Sequence, residues 1–155
     1  EIKPTIRISA PNTDTGRQEI LQEGTDYTVS FKDNAKVGTA KAVITGIGDY
    51  NGTKEFNYKI LPKKGAVSKL TSGKKKLTIK WSKAIDTSGK YQVRYKAKSA
   101  GKWTVKTASG KSTSLIAKNL KKGKTYQVQV RAYKKVSSKN WYGSWSKVKT
   151  SPKIK

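Results

Sequence analysis

The sequence contains no cysteine, no histidine and no methionine. Without cysteine the chain forms no disulfide bond and offers neither a thiolate metal ligand nor a thiol nucleophile. Without histidine it lacks the side chain that most often serves as a general base or a zinc ligand. These absences remove the commonest catalytic and metal-binding arrangements, so we expect a protein that is not an enzyme and that has no cofactor and no metal site.

Long apolar runs are also missing. No stretch approaches the length needed to span a membrane, and the first residues do not form a basic segment followed by an apolar one, as a signal peptide would. Residue 1 is Glu rather than Met, so we expect the sequence to be a piece of a longer chain. Its 155 residues allow one large domain or two small ones.

Acidic residues are scarce in the second part of the chain. Residues 1–62 hold eight Lys or Arg and eight Asp or Glu, which cancel; residues 63–155 therefore hold 35 − 8 = 27 basic and 9 − 8 = 1 acidic residue, Asp86. The whole net charge of +26 lies in the second part. This asymmetry predicts two domains, 1–62 and 63–155, joined at the linker Leu61-Pro-Lys-Lys-Gly65.

Short strand-like runs separated by Gly, Asn and Asp turns fill the first part. Such a pattern is typical of a small antiparallel sandwich, and it predicts strands at 1–9, 19–22, 27–31, 40–45 and 54–61. The segments Gly24-Thr-Asp-Tyr-Thr-Val-Ser-Phe31 and Ile44-Thr-Gly-Ile-Gly-Asp-Tyr-Asn-Gly52 resemble the bacterial immunoglobulin-like repeats of Gram-positive surface proteins. The resemblance implies an immunoglobulin-like β domain that is cut short at its front.

The clearest pattern of the second part is the alternation in residues 126–133. Tyr126 and the apolar residues at every second position after it would face a core, and polar residues would face outward. Upstream lie Leu120 and a turn that contains Gly123. A buried leucine, a glycine turn and a tyrosine at the head of a strand predict a tyrosine corner, in which the hydroxyl group satisfies a backbone group upstream.

Further strands are predicted at 66–70, 76–81, 90–97, 102–106, 112–118, 124–134 and 144–150. Trp81, Tyr91 and Tyr95 fall on inward positions of these strands, which predicts core packing. Seven strands, the tryptophan on the second, the tyrosines on the third and the corner together resemble a fibronectin type III domain. The predicted fold class is therefore all-β, with two small antiparallel β-sandwiches in tandem, immunoglobulin-like and then fibronectin type III.

Five residues are candidates for ligand binding. Trp141 and Tyr142 lie in the predicted loop before the last strand, where an aromatic pair can stack on a sugar ring or a base. The alternative is that they pack back on the domain with Trp145, because exposed apolar area is costly unless it is used. Arg94, Arg131 and Tyr133 fall on outward strand positions and complete the set.

The lysine-rich surface favours diffuse attraction to anionic polymers. Only two of the 27 basic residues are arginine, so sequence-specific recognition of nucleic acid is disfavoured. The resemblances imply a monomeric, extracellular module of a bacterial surface or secreted protein. It would act in adhesion and spacing, with cell-wall or host polymers, glycans or proteins as partners. The alternative is an accessory carbohydrate- or cell-wall-binding module of a secreted hydrolase.

Overall fold

The computed structural model describes residues 1–86 and 88–155, and every regular element in these two ranges is a β-strand. All of the paired strands run antiparallel, so the predicted all-β fold class is confirmed. The chain divides into two compact units, Glu1–Ile60 and Leu61–Lys155. In the described part of the chain, no helix is long and apolar enough to cross a membrane.

The N-terminal unit contains a two-stranded sheet and a three-stranded sheet. The strands are β1 (Ser9–Pro11), β2 (Gln18–Ile20), β3 (Tyr27–Lys32), β4 (Gly38–Gly46) and β5 (Thr53–Ile60). The order of the larger sheet is β3-β4-β5, so each strand pairs with the next one in the chain. Its middle strand buries Gly38, Ala40, Ala42 and Ile44, because alternate residues of a strand point to the same side.

The core of this unit is small and forms around Leu21, Tyr27 and Ile44. Ile6 and Ile8 pack against this cluster. The prediction of a strand over 1–9 is wrong, because only Ser9 of that range lies in a strand. The alternation in the sequence reflects packing rather than sheet pairing: the isoleucines are apolar contacts, and the carbonyl oxygen of Ile8 accepts one hydrogen bond from the Leu21 N–H at 3.0 Å.

The C-terminal unit consists of two sheets. The first sheet contains β6 (Val67–Gly73), β7 (Lys76–Trp81) and β10 (Ser114–Lys118). The second contains β8 (Lys90–Ala97), β9 (Thr104–Ser109), β11 (Tyr126–Val136), β12 (Lys139–Tyr142) and β13 (Lys149–Thr150). The strand order of the first sheet is β10-β7-β6, and that of the second is β12-β11-β8-β9, with β13 also paired to β11.

The core of the C-terminal unit is formed by alternate residues of both sheets. Leu77 and Ile79 of β7 are fully buried, as are Val128 and Val130 of β11. Burial of a side chain of this size stabilises a fold by about 1.5–3 kcal/mol relative to leaving it exposed. The intervening residues Gln127, Gln129 and Arg131 are polar, and of these only Gln129 is buried. This strand therefore presents its apolar face to the core and its polar face outward.

The last strand differs from its prediction over 144–150. The chain forms a hairpin from β11 into β12 through a two-residue turn, in which Ser137 has a φ of 53°. Trp141 and Tyr142 therefore lie in a strand and not in a loop. Pairing to β11 by β13 resumes only at Lys149. Gly143 follows β12 at a point where the chain passes close to Pro62. A Cβ atom added to residue 143 would lie only 2.6 Å from the Pro62 carbonyl oxygen, which is closer than a Cβ atom approaches without a shift of the backbone.

A tyrosine at the start of β11 fixes the loop that precedes it. The Tyr126 hydroxyl group accepts a hydrogen bond from the Lys121 N–H at 3.0 Å. Leu120 is buried, and its own N–H donates to the carbonyl oxygen of Lys75 at 3.0 Å. Gly123 has a φ of 77°, which favours glycine, and so supplies the turn. The hydrogen bond thus joins the strand to the loop through a half-buried backbone donor.

We predict that Tyr126→Phe destabilises the C-terminal unit by about 1–3 kcal/mol, because the Lys121 N–H is left without its partner inside the protein. Leu120→Ala should cost about 2–5 kcal/mol through the cavity that it leaves. Denaturant melts followed by tryptophan fluorescence measure this unit within the whole chain, because all four tryptophans lie in it.

Tyr133→Phe is the matched control, because no hydrogen bond of its hydroxyl group is found among the described residues. An unchanged midpoint for both Tyr126→Phe and Leu120→Ala would show that the corner does not hold this loop.

Candidate functional site

The two arginines of the C-terminal unit lie side by side on the outer face of its larger sheet. Arg94 of β8 is directly opposite Gln129 of β11, and Arg131 of β11 is directly opposite Gln92 of β8. Each arginine thus has a glutamine as its cross-strand neighbour. Such pairs have Cβ atoms about 4.5–5.5 Å apart, which brings their polar ends within hydrogen-bonding reach.

Each guanidinium group donates two hydrogen bonds to one glutamine oxygen. Nε and Nη2 of Arg94 lie 3.0 and 2.6 Å from Gln129 Oε1. Nε and Nη2 of Arg131 lie 2.9 and 2.7 Å from Gln92 Oε1. The Nε2 atom of Gln129 then donates to the carbonyl oxygen of Ser146 at 2.6 Å, which ties the segment between β12 and β13 to the sheet.

Aromatic rings alternate with these guanidinium groups. The guanidinium carbon of Arg94 lies 4.6 Å from the ring centroid of Trp103 and 4.2 Å from that of Trp145. The guanidinium carbon of Arg131 lies 4.4 Å from the Trp145 ring and 4.1 Å from the Tyr142 ring. Tyr142 in turn stacks on Tyr133, with 5.2 Å between centroids. We call the series Trp103, Arg94, Trp145, Arg131, Tyr142 and Tyr133 the arginine–aromatic ladder.

The ladder is partly removed from water. Burial lowers the pKa of Arg94 from its ordinary value. Burial also lowers the pKa of Arg131, Tyr142 raises it, and the like charge of Arg94 lowers it further. A guanidinium group stays protonated in proteins, so both charges persist. The electron-rich ring faces and the glutamine oxygens compensate for the missing water, and each cation–π contact contributes about 0.5–2 kcal/mol.

Four of the five predicted ligand-binding residues meet in the ladder: Arg94, Arg131, Tyr133 and Tyr142. The fifth, Trp141, pairs in register with Lys134 and lies beside Lys139, whose Nζ atom is 5.7 Å from its ring centroid. Because neighbouring residues of a strand point to opposite faces, Trp141 does not share the face of Tyr142. The sequence predicts Trp103 in a strand and Trp145 as a packing partner, but no local pattern connects either one with the arginines.

The ladder can stabilise the sheet better than it can bind a sugar. A stacked sugar ring needs a free aromatic face, whereas the Tyr142 ring contacts both Tyr133 and Arg131. Trp145 likewise contacts both arginines. The guanidinium groups are committed to glutamine oxygens and rings, so they are poorly placed to form bidentate contacts with an anion.

We predict that Trp145→Ala destabilises the C-terminal unit by about 1–4 kcal/mol, because it removes the contacts with both guanidinium groups. Tryptophan fluorescence during denaturation measures the change, since three tryptophans remain. Val148→Ala, at an exposed position in the same segment, is the control and should shift stability by no more than about 0.5 kcal/mol. Equal midpoints for the two variants would mean that the ladder contributes nothing to stability.

Asp86, the only acidic residue of 63–155, lies just before β8. Its Oδ1 atom accepts hydrogen bonds from the Ser88 hydroxyl group at 2.5 Å and from the Ser88 N–H at 2.9 Å, and its Oδ2 atom accepts one from Lys134 Nζ at 3.0 Å. These hydrogen bonds, the one from the Ser88 hydroxyl first, lower the pKa of Asp86 to about 2. The carboxylate therefore stabilises the turn that leads into β8.

Because the pKa of Asp86 is lowered by folding, its stabilising contribution is present above the unfolded-state pKa and disappears as pH falls through the folded-state value. We predict that the C-terminal unit loses stability between about pH 4 and about pH 2, and that Asp86→Asn removes this part of the pH dependence. Thermal melts across this range, followed by tryptophan fluorescence, measure the effect. Parallel pH profiles for the variant and the unchanged chain would contradict it.

Comparison with known proteins agrees with this architecture. A family model described as the fibronectin type III domain matches residues 62–147, which is more than half of the chain. Among curated proteins, none is similar enough in sequence to count as a match.

Three solved structures are similar in fold. The chicken CNTN1 FN1–FN3 domains share 16% identity at a TM-score of 0.54, over 84% of this chain and 56% of that one. The titin domains A168–A170 share 13% identity at a TM-score of 0.50, over 88% of this chain and 52% of that one. A structure described as a myokine shares 11% identity at a TM-score of 0.50, over 61% of this chain and 99% of that one. The chain thus spans about half the length of the first two.

Proposed function

The chain belongs to the fibronectin type III domain family, and on this premise we propose that it is a non-catalytic extracellular module of a bacterial surface or secreted protein. Domains of this family are generally structural modules of multidomain proteins, and they are typically found in extracellular or surface proteins. In this proposal an immunoglobulin-like domain, 1–62, precedes the fibronectin type III domain, 63–155. The pair acts in spacing and adhesion, and the basic domain is attracted diffusely to anionic polymers.

The charge distribution carries the proposal. The second domain has 27 basic residues and one acidic residue, and that acid is already paired with Lys134. Within its described residues, no second ion pair neutralises a lysine. A surface with so many uncompensated positive charges attracts polyanions over roughly a Debye length, about 8–10 Å at physiological salt.

The identity of the basic residues makes this attraction unspecific. Arg94 and Arg131 belong to the ladder, so the residues free to meet a polyanion are lysines. A lysine ammonium group acts as a point charge and lacks the planar fork with which arginine recognises guanine or phosphate in a fixed geometry. A surface that meets nucleic acid through lysines alone is therefore not expected to recognise a particular base sequence.

An accessory carbohydrate- or cell-wall-binding role for a secreted hydrolase is the less favoured alternative. It requires Trp141 and Tyr142 to form a joint stacking platform. Tyr142 instead contacts Arg131 and Tyr133, and Trp141 lies on the other side of β12 as a half-buried side chain. One partly covered ring presents a much smaller platform than two coplanar rings would.

We predict that the chain binds heparin, poly(glycerol phosphate) and single-stranded DNA weakly and without sequence preference. Affinity should fall by at least about tenfold between about 0.05 and 0.2 M salt, because binding releases counterions. Fluorescence anisotropy with labelled polyanions measures both properties. Two DNA strands of unrelated sequence serve as matched probes and should differ by less than about threefold.

Binding that persists at about 1 M salt would contradict the diffuse attraction and would point to an apolar or stacking site. A shift of tryptophan fluorescence by neutral cell-wall oligosaccharides, abolished by Trp141→Ala, would favour the carbohydrate-binding alternative instead.

A further inference from the structure

Five lysines line one groove at the end of the second domain that carries the tyrosine corner. The groove lies beside the end of β8 and the loop between β10 and β11, and its cavity volume is about 580 Å³. Tyr95 and Tyr126 line it but are buried, whereas Ser99, Thr104 and Asn119 are exposed. We call it the corner groove; its lysines are Lys96, Lys102, Lys118, Lys121 and Lys124.

The end of the domain that carries the corner groove has no acidic side chain of that domain. Asp86 lies before Lys90, at the opposite end of β8 from Ala97. Eight residues of strand span roughly 23 Å, which is more than two Debye lengths at physiological salt. None of the five lysines forms an ion pair with any residue that the structure describes. Their charges are therefore available to a ligand.

The backbone around the groove is held in place by hydrogen bonds. The Lys98 N–H donates to the Thr125 carbonyl oxygen at 3.0 Å, and the Gly123 N–H donates to the Ile154 carbonyl oxygen at 2.8 Å. The Lys121 N–H is the donor bound by the Tyr126 hydroxyl group. A ligand would therefore meet lysines on a backbone that is already ordered, which reduces the entropic cost of binding.

These features favour a ligand that carries separate anionic groups along a chain. Lysines recognise separate anionic groups as point charges, and exposed Ser99, Thr104 and Asn119 can hydrogen-bond to phosphate oxygens or to hydroxyl groups. The aromatic rings of the groove are buried, so they offer no platform on which a base could stack. The backbone of a phosphodiester polymer satisfies the groove without any contribution from bases.

We propose that the corner groove is a binding site for the backbone of a linear phosphodiester polymer. This rests on the proposed function, because it assigns the diffuse attraction to anionic polymers a preferred place on the domain. Two sources share this chemistry, a chain of alditol phosphates and a single-stranded nucleic acid, and the groove binds both through phosphate alone.

The probe is a fluorescein-labelled hexamer of propane-1,3-diol phosphodiesters, which has the phosphates but neither sugars nor bases. Fluorescence anisotropy measures its binding to the whole chain. The groove variant carries Lys118→Gln, Lys121→Gln and Lys124→Gln. The control variant carries Lys83→Gln, Lys111→Gln and Lys135→Gln, which remove the same charge at the Asp86 end of the domain.

The groove variant should bind the probe at least about tenfold more weakly, and the control variant should bind within about threefold of the unchanged chain.

The dependence of log affinity on log salt should become shallower by about 2 in the groove variant, because each phosphate that a lysine neutralises on a single strand adds about 0.7 to the slope. Replacing the same three groove lysines by arginine should retain binding. Tryptophan fluorescence melts establish that each variant is folded.

Equal weakening by the two triple variants would overturn the groove and leave the diffuse attraction intact. Failure of the unchanged chain to bind any polyanion would overturn both. Hexathymidylate should bind within about threefold of the probe, whereas binding more than about tenfold tighter would show that bases are recognised and would contradict the proposal. A heparin hexasaccharide that binds more than about tenfold tighter, and depends on the same lysines, would assign the groove to sulfated glycans instead.

Discussion

The antiparallel register between β8 and β11 is the constraint on which the rest of the second domain depends. It places Tyr91 opposite Ala132 and Val93 opposite Val130 in the core, and on the outer face it places each arginine opposite a glutamine. Because side chains alternate along a strand, a slip of either strand by one residue would expose the apolar set of that strand and turn its arginine toward the core. Core and ladder thus specify the same pairing from opposite faces of the sheet.

Arginine and lysine have separate roles on this domain. The two arginines are half-buried and held by glutamine oxygens and aromatic rings, so they contribute to the sheet rather than to a ligand. Apart from the half-buried Lys96 and Lys134, the lysines of this domain are exposed to water, where their charge acts at long range. This separation explains how one domain can hold two close cations in its sheet and still present a strongly basic surface. It also links the structure to the proposed function, because the groove lysines surround the loop that Tyr126 orders.

Prediction from the sequence succeeds where one face of a strand meets the core, and it fails where pairing depends on distant residues. The alternation in 126–133 indicates β11 because Tyr126, Val128, Val130 and Ala132 are the residues that face the core. Ile6 and Ile8 alternate as well, but they pack as apolar contacts and do not form the regular backbone hydrogen bonds of a sheet. Local periodicity therefore assigns them wrongly to a strand. Trp141 and Tyr142 are predicted in a loop, since neither glycine nor asparagine marks the turn at Ser137 that pairs them with β11.

The sequence by itself determined the all-β class, the tyrosine at the head of β11 and the concentration of charge after residue 62, because composition and short-range alternation are sufficient for these. Only the tertiary structure decided that Arg94, Arg131, Tyr133 and Tyr142 form one ladder with Trp103 and Trp145. These six residues come from separate stretches of the chain, 94–103, 131–133 and 142–145, and the stretches meet only once the register of the sheet is set. The corner groove likewise exists only in three dimensions, since its lysines come from separate segments of the chain that folding brings to one end of the domain.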